Sequence, residues 1–188
     1  MRRLATTSSR LLILALGVIV AGAGCSAEVS IGTGGGPVAA AEEFIEGRGA
    51  QEAGLGPLEA ACNEPSGTDV GIDFLCTGTT EDGREIEFVT AMDEGDTVSV
   101  NSVNLVTPAG LDNLEASSVA ALEAQVGAPL GVENFDCGSE AIILEPDNIA
   151  ACVLTDPVNG DVYDAEVTID DPGDPNTNID VLVADTAR

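Results

Sequence analysis

Residues 72–92 read IDFLCTGTTEDGREIEFVTAM, and their pattern decides the fold. Ile72, Phe74 and Cys76 recur at every second position, as do Ile86, Phe88, Thr90 and Met92, with Asp73 and Glu87 among the residues between them. A period of two is the signature of a strand with one buried face. Asp82-Gly83 between the two runs is a hairpin signal, because a type I′ turn needs positive φ at both central residues. The stretch is therefore expected to be an antiparallel hairpin.

The same grammar returns further along. Ala150, Cys152 and Leu154 alternate, Asn159-Gly160 marks a turn, and Tyr163, Ala165, Val167 and Ile169 alternate again. Cys62 lies 75 residues before Cys137, Cys76 lies 76 before Cys152, and Gly83 lies 77 before Gly160. Leu105-Val106 maps onto Leu182-Val183, again at 77. A shift that grows by one at loops and holds steady along strands is how a diverged tandem duplication behaves. Fourth strands are expected over Thr97–Val106 and Asn178–Ala184.

A helix precedes each set of strands. Leu111, Leu114, Val119, Leu122 and Val126 fall near a period of 3.6, and Gly127 supplies a stop. Val38 to Glu46 is a shorter version carrying Phe44 and Ile45. The predicted fold is α+β: two tandem modules, each a helix packed on a four-stranded antiparallel meander with one disulfide. The modules span residues 38–107 and 108–188.

Four cysteines allow three connectivities. The repeat selects Cys62 with Cys76 and Cys137 with Cys152, each pair on neighbouring strands. Closing a loop of about 15 residues is worth roughly 3 kcal/mol in the chain-entropy picture. Small modules with few large apolar side chains need such a staple. Zinc is disfavoured by the wide spacing and the absence of histidine, and no Cys-x-x-Cys is present.

The fifth cysteine has another setting. Arg2, Arg3 and Arg10 precede an apolar run from Leu11 to Ala21, and Gly22, Ala23 and Gly24 lead into Cys25. Residues 1–24 have the plan of a signal peptide, and the apolar run is short for a membrane span. The arginine pair lacks the rest of a twin-arginine motif, so export unfolded is expected. A cysteine after small residues resembles the lipobox of bacterial lipoproteins, with Gly22 where Leu is usual. The resemblance implies a diacylglyceryl group on Cys25 and an address on the outer face of the cytoplasmic membrane. Residues 25–37, with Gly32, Gly34, Gly35 and Gly36, read as the lipidated cysteine and a flexible tether.

Loss of residues 1–24 leaves three arginine side chains against 33 acids, a side-chain charge of about −30, with no lysine and no histidine. Such a surface repels nucleic acid and anionic headgroups and attracts cations or basic partners. Without His or Lys the commonest general base and two nucleophile activators are missing, and no enzyme activity or cofactor is expected. Asp174, Asn176, Asn178 and Asp180 recur at every second position before Asp185, in part like a calcium loop. Ile179 stands where that loop has Gly, and a turn between strands also favours these residues.

Asp136-Cys137, Ala150-Ala151-Cys152 and Asn159-Gly160 in the second copy, with Phe74-Leu75-Cys76 in the first, resemble the DUF4333-type domain of actinobacterial lipoproteins. That resemblance implies an envelope location and no established chemistry. In architecture alone, the expected plan is also similar to secreted β-lactamase inhibitor proteins built of tandem helix-plus-sheet modules. The expected function is a lipid-anchored, non-catalytic envelope protein whose partner is another envelope component or the wall. An inhibitor-like protein and a Ca²⁺-binding envelope protein are the alternatives.

Overall fold

A computed structural model describes residues 26–32, 35–172 and 177–188. The signal segment, Cys25, Asp174 and Asn176 lie outside the described residues.

The chain begins with β1 (Ser26–Ser30), then α1 (Pro37–Phe44), a π-helical turn (Ile45–Gly49) and a short α2 (Ala50–Glu52). Four strands follow: β2 (Leu58–Cys62), β3 (Asp73–Thr80), β4 (Glu85–Asp93) and β5 (Thr97–Ser102). After β6 (Leu105–Val106) comes the long α3 (Pro108–Val126). The remainder is β7 (Phe135–Asp136), β8 (Ile142–Ile143), β9 (Ile149–Thr155), β10 (Val162–Ile169) and β11 (Ile179–Val183). The fold is α+β, with helices on antiparallel sheets and two disulfides.

One sheet has five strands in the order β1-β5-β4-β3-β2, and a second has four in the order β11-β10-β9-β7. Alternation decides which face is covered. Phe74, Cys76, Ile86, Phe88, Thr90, Met92, Val98 and Val100 are buried under α1 and the π turn. Ala150, Cys152, Leu154, Ala165, Val167 and Ile169 are buried with Leu111, Leu114, Val119 and Leu122 of α3. Gly78 in β3 lets the first helix approach closely: a Cβ there would stand 3.1 Å from both Ile45 and Phe88.

Several expectations need correction. Ser26–Ser30, inside the stretch read as tether, is an edge strand paired with β5. Gly32, Gly35 and Gly36 therefore lie between β1 and α1, and the first sheet has five strands rather than four. The expected fourth strand Thr97–Val106 is broken. β5 ends at Ser102, and β6 leaves the sheet to pair with β8 as Leu105↔Ile143 and Val106↔Ile142. Phe88 stands opposite Ser102, and Ala165 opposite Val183. By register, Leu182-Val183 holds in the second sheet the place that Asn101-Ser102 holds in the first, and Leu105-Val106 lies outside that sheet. The sequence match failed because the β10–β11 connection is longer than the β4–β5 one.

Two smaller differences are local. Val126 is 60% exposed, because α3 ends at Gly127 beyond the margin of its core. The hairpin turns are not type I′. At β3–β4 only Gly83 has positive φ, and its N–H bonds to Thr80 O at 2.9 Å. That is a type I turn followed by a left-handed glycine, which restores the strand twist after the turn. At β9–β10 only Gly160 has positive φ, and its N–H reaches Asp156 O.

β6 and β8 join the halves. Leu105 belongs to the first core and its neighbour Val106 to the second. Ile143 packs on the first core and Leu144 is buried in the second, with Leu144 N–H bonded to Asn104 O at 2.7 Å.

Candidate functional site

Both disulfides form as the pairing Cys62–Cys76 and Cys137–Cys152, closing separations of 14 and 15 residues. Cys62 and Cys76 are directly opposite on β2 and β3. They occupy a non-hydrogen-bonded pair, the position where cross-strand side chains lie closest. That geometry turns the Cys62 N–H out of the sheet, and β2 is an edge strand.

The outward N–H is capped by a helix side chain. Cys62 N–H donates to Glu42 Oε1 at 3.0 Å, and Ala60 N–H donates to Glu46 Oε1 at 3.1 Å. The match is geometric: residues four apart on a helix and two apart on a strand are both separated by roughly 6–7 Å. In the other half Cys137 N–H donates to Glu115 Oε1 of α3 at 2.8 Å. Sequence reading missed this pairing of a disulfide with a glutamate cap. Its only trace was a glutamate 20 or 22 residues before each first cysteine.

The cysteines are thus scaffold, and the candidate binding feature lies at the junction of the halves. A cleft of about 740 Å³ runs between the β3–β4 hairpin with Asn104 on one side and the β8–β9 connection with Asp170-Asp171 on the other. Glu85, Glu87, Glu145, Asp170 and Asp171 line it, with Arg84 as the lining cation. Asn104 fixes one wall: its Oδ1 accepts from Glu87 N–H at 2.8 Å and its Nδ2 donates to Glu85 O at 3.1 Å. Glu85 and Glu87 therefore project from a braced strand end. Chemically the cleft presents carboxylates to a cation or amine.

The outer sheet faces carry Glu85, Glu87, Asp164 and Glu166, all exposed, as alternation predicted. Leu75 (58% exposed) and Leu182 (68%) share those faces. Phe44, Phe74, Phe88 and Phe135 are all buried. Of the calcium candidates that are described, Asn178 accepts from Asp170 N–H through its backbone oxygen, and Asp180 sits exposed in β11 opposite Thr168. Among the described residues no three metal-binding side chains cluster.

Two exposed ion pairs shift their groups. Asp82 is held below the ordinary carboxylate value by hydrogen bonds from Thr80 and Arg84. Arg188 is raised by its hydrogen bond and ion pair with Asp164. Asp82 belongs to the β3–β4 turn, where its partner Arg84 also lines the cleft, whereas the Arg188–Asp164 pair is not part of the cleft lining.

The chain matches no protein-family model, no curated protein and no solved structure.

Proposed function

We propose that this chain is a lipid-anchored protein of the outer face of the cytoplasmic membrane that acts by binding a cationic envelope partner rather than by catalysis. The observation that carries the reading is the acidic cleft between the two halves, with walls drawn from both. The leader, the small residues before Cys25 and two disulfides support an exported, oxidising address. The resemblance to DUF4333-type domains points to the same address.

We also read the halves as diverged copies of one helix-plus-meander module. Cys76 faces Phe88 as Cys152 faces Ala165, and a helix glutamate caps the first cysteine in each. The inhibitor-like alternative loses weight because the four phenylalanines are spent in the cores, whereas strong protein interfaces rely on aromatic anchors. With β1 starting at Ser26, a lipid on Cys25 would hold the first sheet directly at the membrane, without a slack tether.

Two measurements test the reading. Cys25→Ala should move the protein from the membrane fraction to the medium. Crosslinking capture in the native cell should enrich a partner with the wild type and lose it with Glu85→Lys/Glu87→Lys. Capture of the same set by both forms would remove the cleft from consideration.

A further inference from the structure

Among the described residues the four outer edges of the two large sheets differ in how they are protected. β2 and β7 have helix glutamates on their outward amides at Cys62, Ala60 and Cys137. β1 exposes Ser26, Glu28 and Ser30. β11 has the sequence Ile-Asp-Val-Leu-Val and pairs only with β10.

The register identifies its free groups. Ala184 N–H bonds to Asp164 O, and Asn178 O accepts from Asp170 N–H, so even-numbered residues face β10. In an antiparallel ladder alternate residues turn to opposite sides. Ile179, Val181 and Val183 therefore direct their N–H and C=O groups away from the sheet. An unpaired apolar edge is usually blunted by lysine, proline or a bulge. None of these occurs in β11, whose register with β10 is unbroken and whose single charge is Asp180.

The surroundings specify what would cover it. On the outer face the exposed Leu182 lines a hollow of about 240 Å³ together with Glu166, Asp185 and Asp164, the last of these paired with Arg188. On the inner face Ile179, Val181 and Val183 fringe the second core. A second copy would bring another body of charge −27 edge to edge, which repulsion opposes.

We propose that β11 receives an extended basic segment of a partner protein, which adds to the sheet as a further strand. Its side chains would alternate. Lysine or arginine would lie on the outer face toward Asp180, Glu166 and Asp185. Valine, isoleucine or leucine would lie on the inner face beside Val181 and Val183. Backbone bonding supplies affinity in this mode, and the alternating pockets supply specificity.

The test uses the folded, disulfide-bonded chain and a seven-residue peptide of alternating lysine and valine. Two further versions are N-methylated on one or the other alternate set of amides, with charge unchanged. The parent and one methylated version should bind alike, and the other should bind at least about tenfold more weakly, since only one set faces β11. Hydrogen exchange at Ile179, Val181 and Val183 should slow by about tenfold or more when the parent is bound. Leu182→Lys should weaken binding, whereas Glu85→Lys in the junction cleft should leave this protection pattern unchanged. Equal affinity of both methylated versions, no binding at low salt, or protection that leaves Ile179, Val181 and Val183 unchanged would overturn the proposal. So would sedimentation revealing a dimer that protects the same amides without peptide.

Discussion

The glutamate caps carry a residue-scale prediction. Glu42 accepts from the amide of Cys62 at the end of edge strand β2, and Glu115 from that of Cys137 just after edge strand β7. Both bonds are only partly buried, so Glu42→Ala or Glu115→Ala should each cost about 1 kcal/mol in denaturant unfolding. A double variant should cost the sum, since the two sites lie in separate cores. Ser118 predicts the opposite sign. Its Oγ is fully buried in α3 with no hydrogen-bond partner. Ser118→Ala removes that unsatisfied group and adds helix propensity, so stability should rise by up to about 1 kcal/mol. A loss of that size in the same unfolding experiment would mean the hydroxyl has a role. Asp82 contributes a pH dependence. Its carboxyl is lowered from 3.8 in the folded state by Thr80 and Arg84. The stabilisation is therefore present above the unfolded value and lost as pH falls through the folded one. Asp82→Asn should lower the melting temperature at pH 6, and the difference should vanish in strong acid.

At the scale of elements, the sequence made some features legible and hid others for a physical reason. Strands β3, β4, β9 and β10 follow from alternation, and the disulfide partners lie only 14 and 15 residues apart, so these signals are local. The end of β5 was hidden. Leu105 and Val106 continue an apolar pattern, and only the partner strand β8, some 37 residues on, reveals that they have left the sheet. β1 was hidden because Ser-Ala-Glu-Val-Ser has little strand character, and its pairing with β5 makes it a strand. The acidic cleft could not be read at all, since Glu85 and Asp170 come to line one cleft only when the β6–β8 pairing joins the two sheets' ends. Each disulfide is an element-scale staple. Replacing Cys137 and Cys152 by alanine together should cost about 3 kcal/mol, measured by urea unfolding. β7 is only two residues long, so its hold on β9 depends more on this bond than the longer β2 depends on its own. Hydrogen exchange at Phe135 and Asp136 should rise more in that variant than exchange at Ala60 and Ala61 does in Cys62→Ala/Cys76→Ala.

The molecule as a whole carries a charge of −27. The described residues offer little to offset it: their three ion pairs, Arg48–Glu52, Arg84–Asp82 and Arg188–Asp164, are all exposed. Solvent screens exposed pairs, so repulsion among the remaining carboxylates dominates the long-range electrostatics. The Debye length falls from about 30 Å at 0.01 M salt to about 3 Å at 1 M. Repulsion is relieved more in the compact state, where the charges are closer. Raising sodium chloride over that range should therefore raise the melting temperature, by several degrees if repulsion is worth about 2 kcal/mol in a domain of this size. Binding of a basic ligand, at the cleft or at β11, should respond in the opposite sense and weaken over the same range. A melting temperature that falls with sodium chloride would mean that attractive pairs, not repulsion, govern the fold. Affinity for the basic peptide that holds at 1 M salt would mean that backbone pairing and apolar contact at Leu182 outweigh charge.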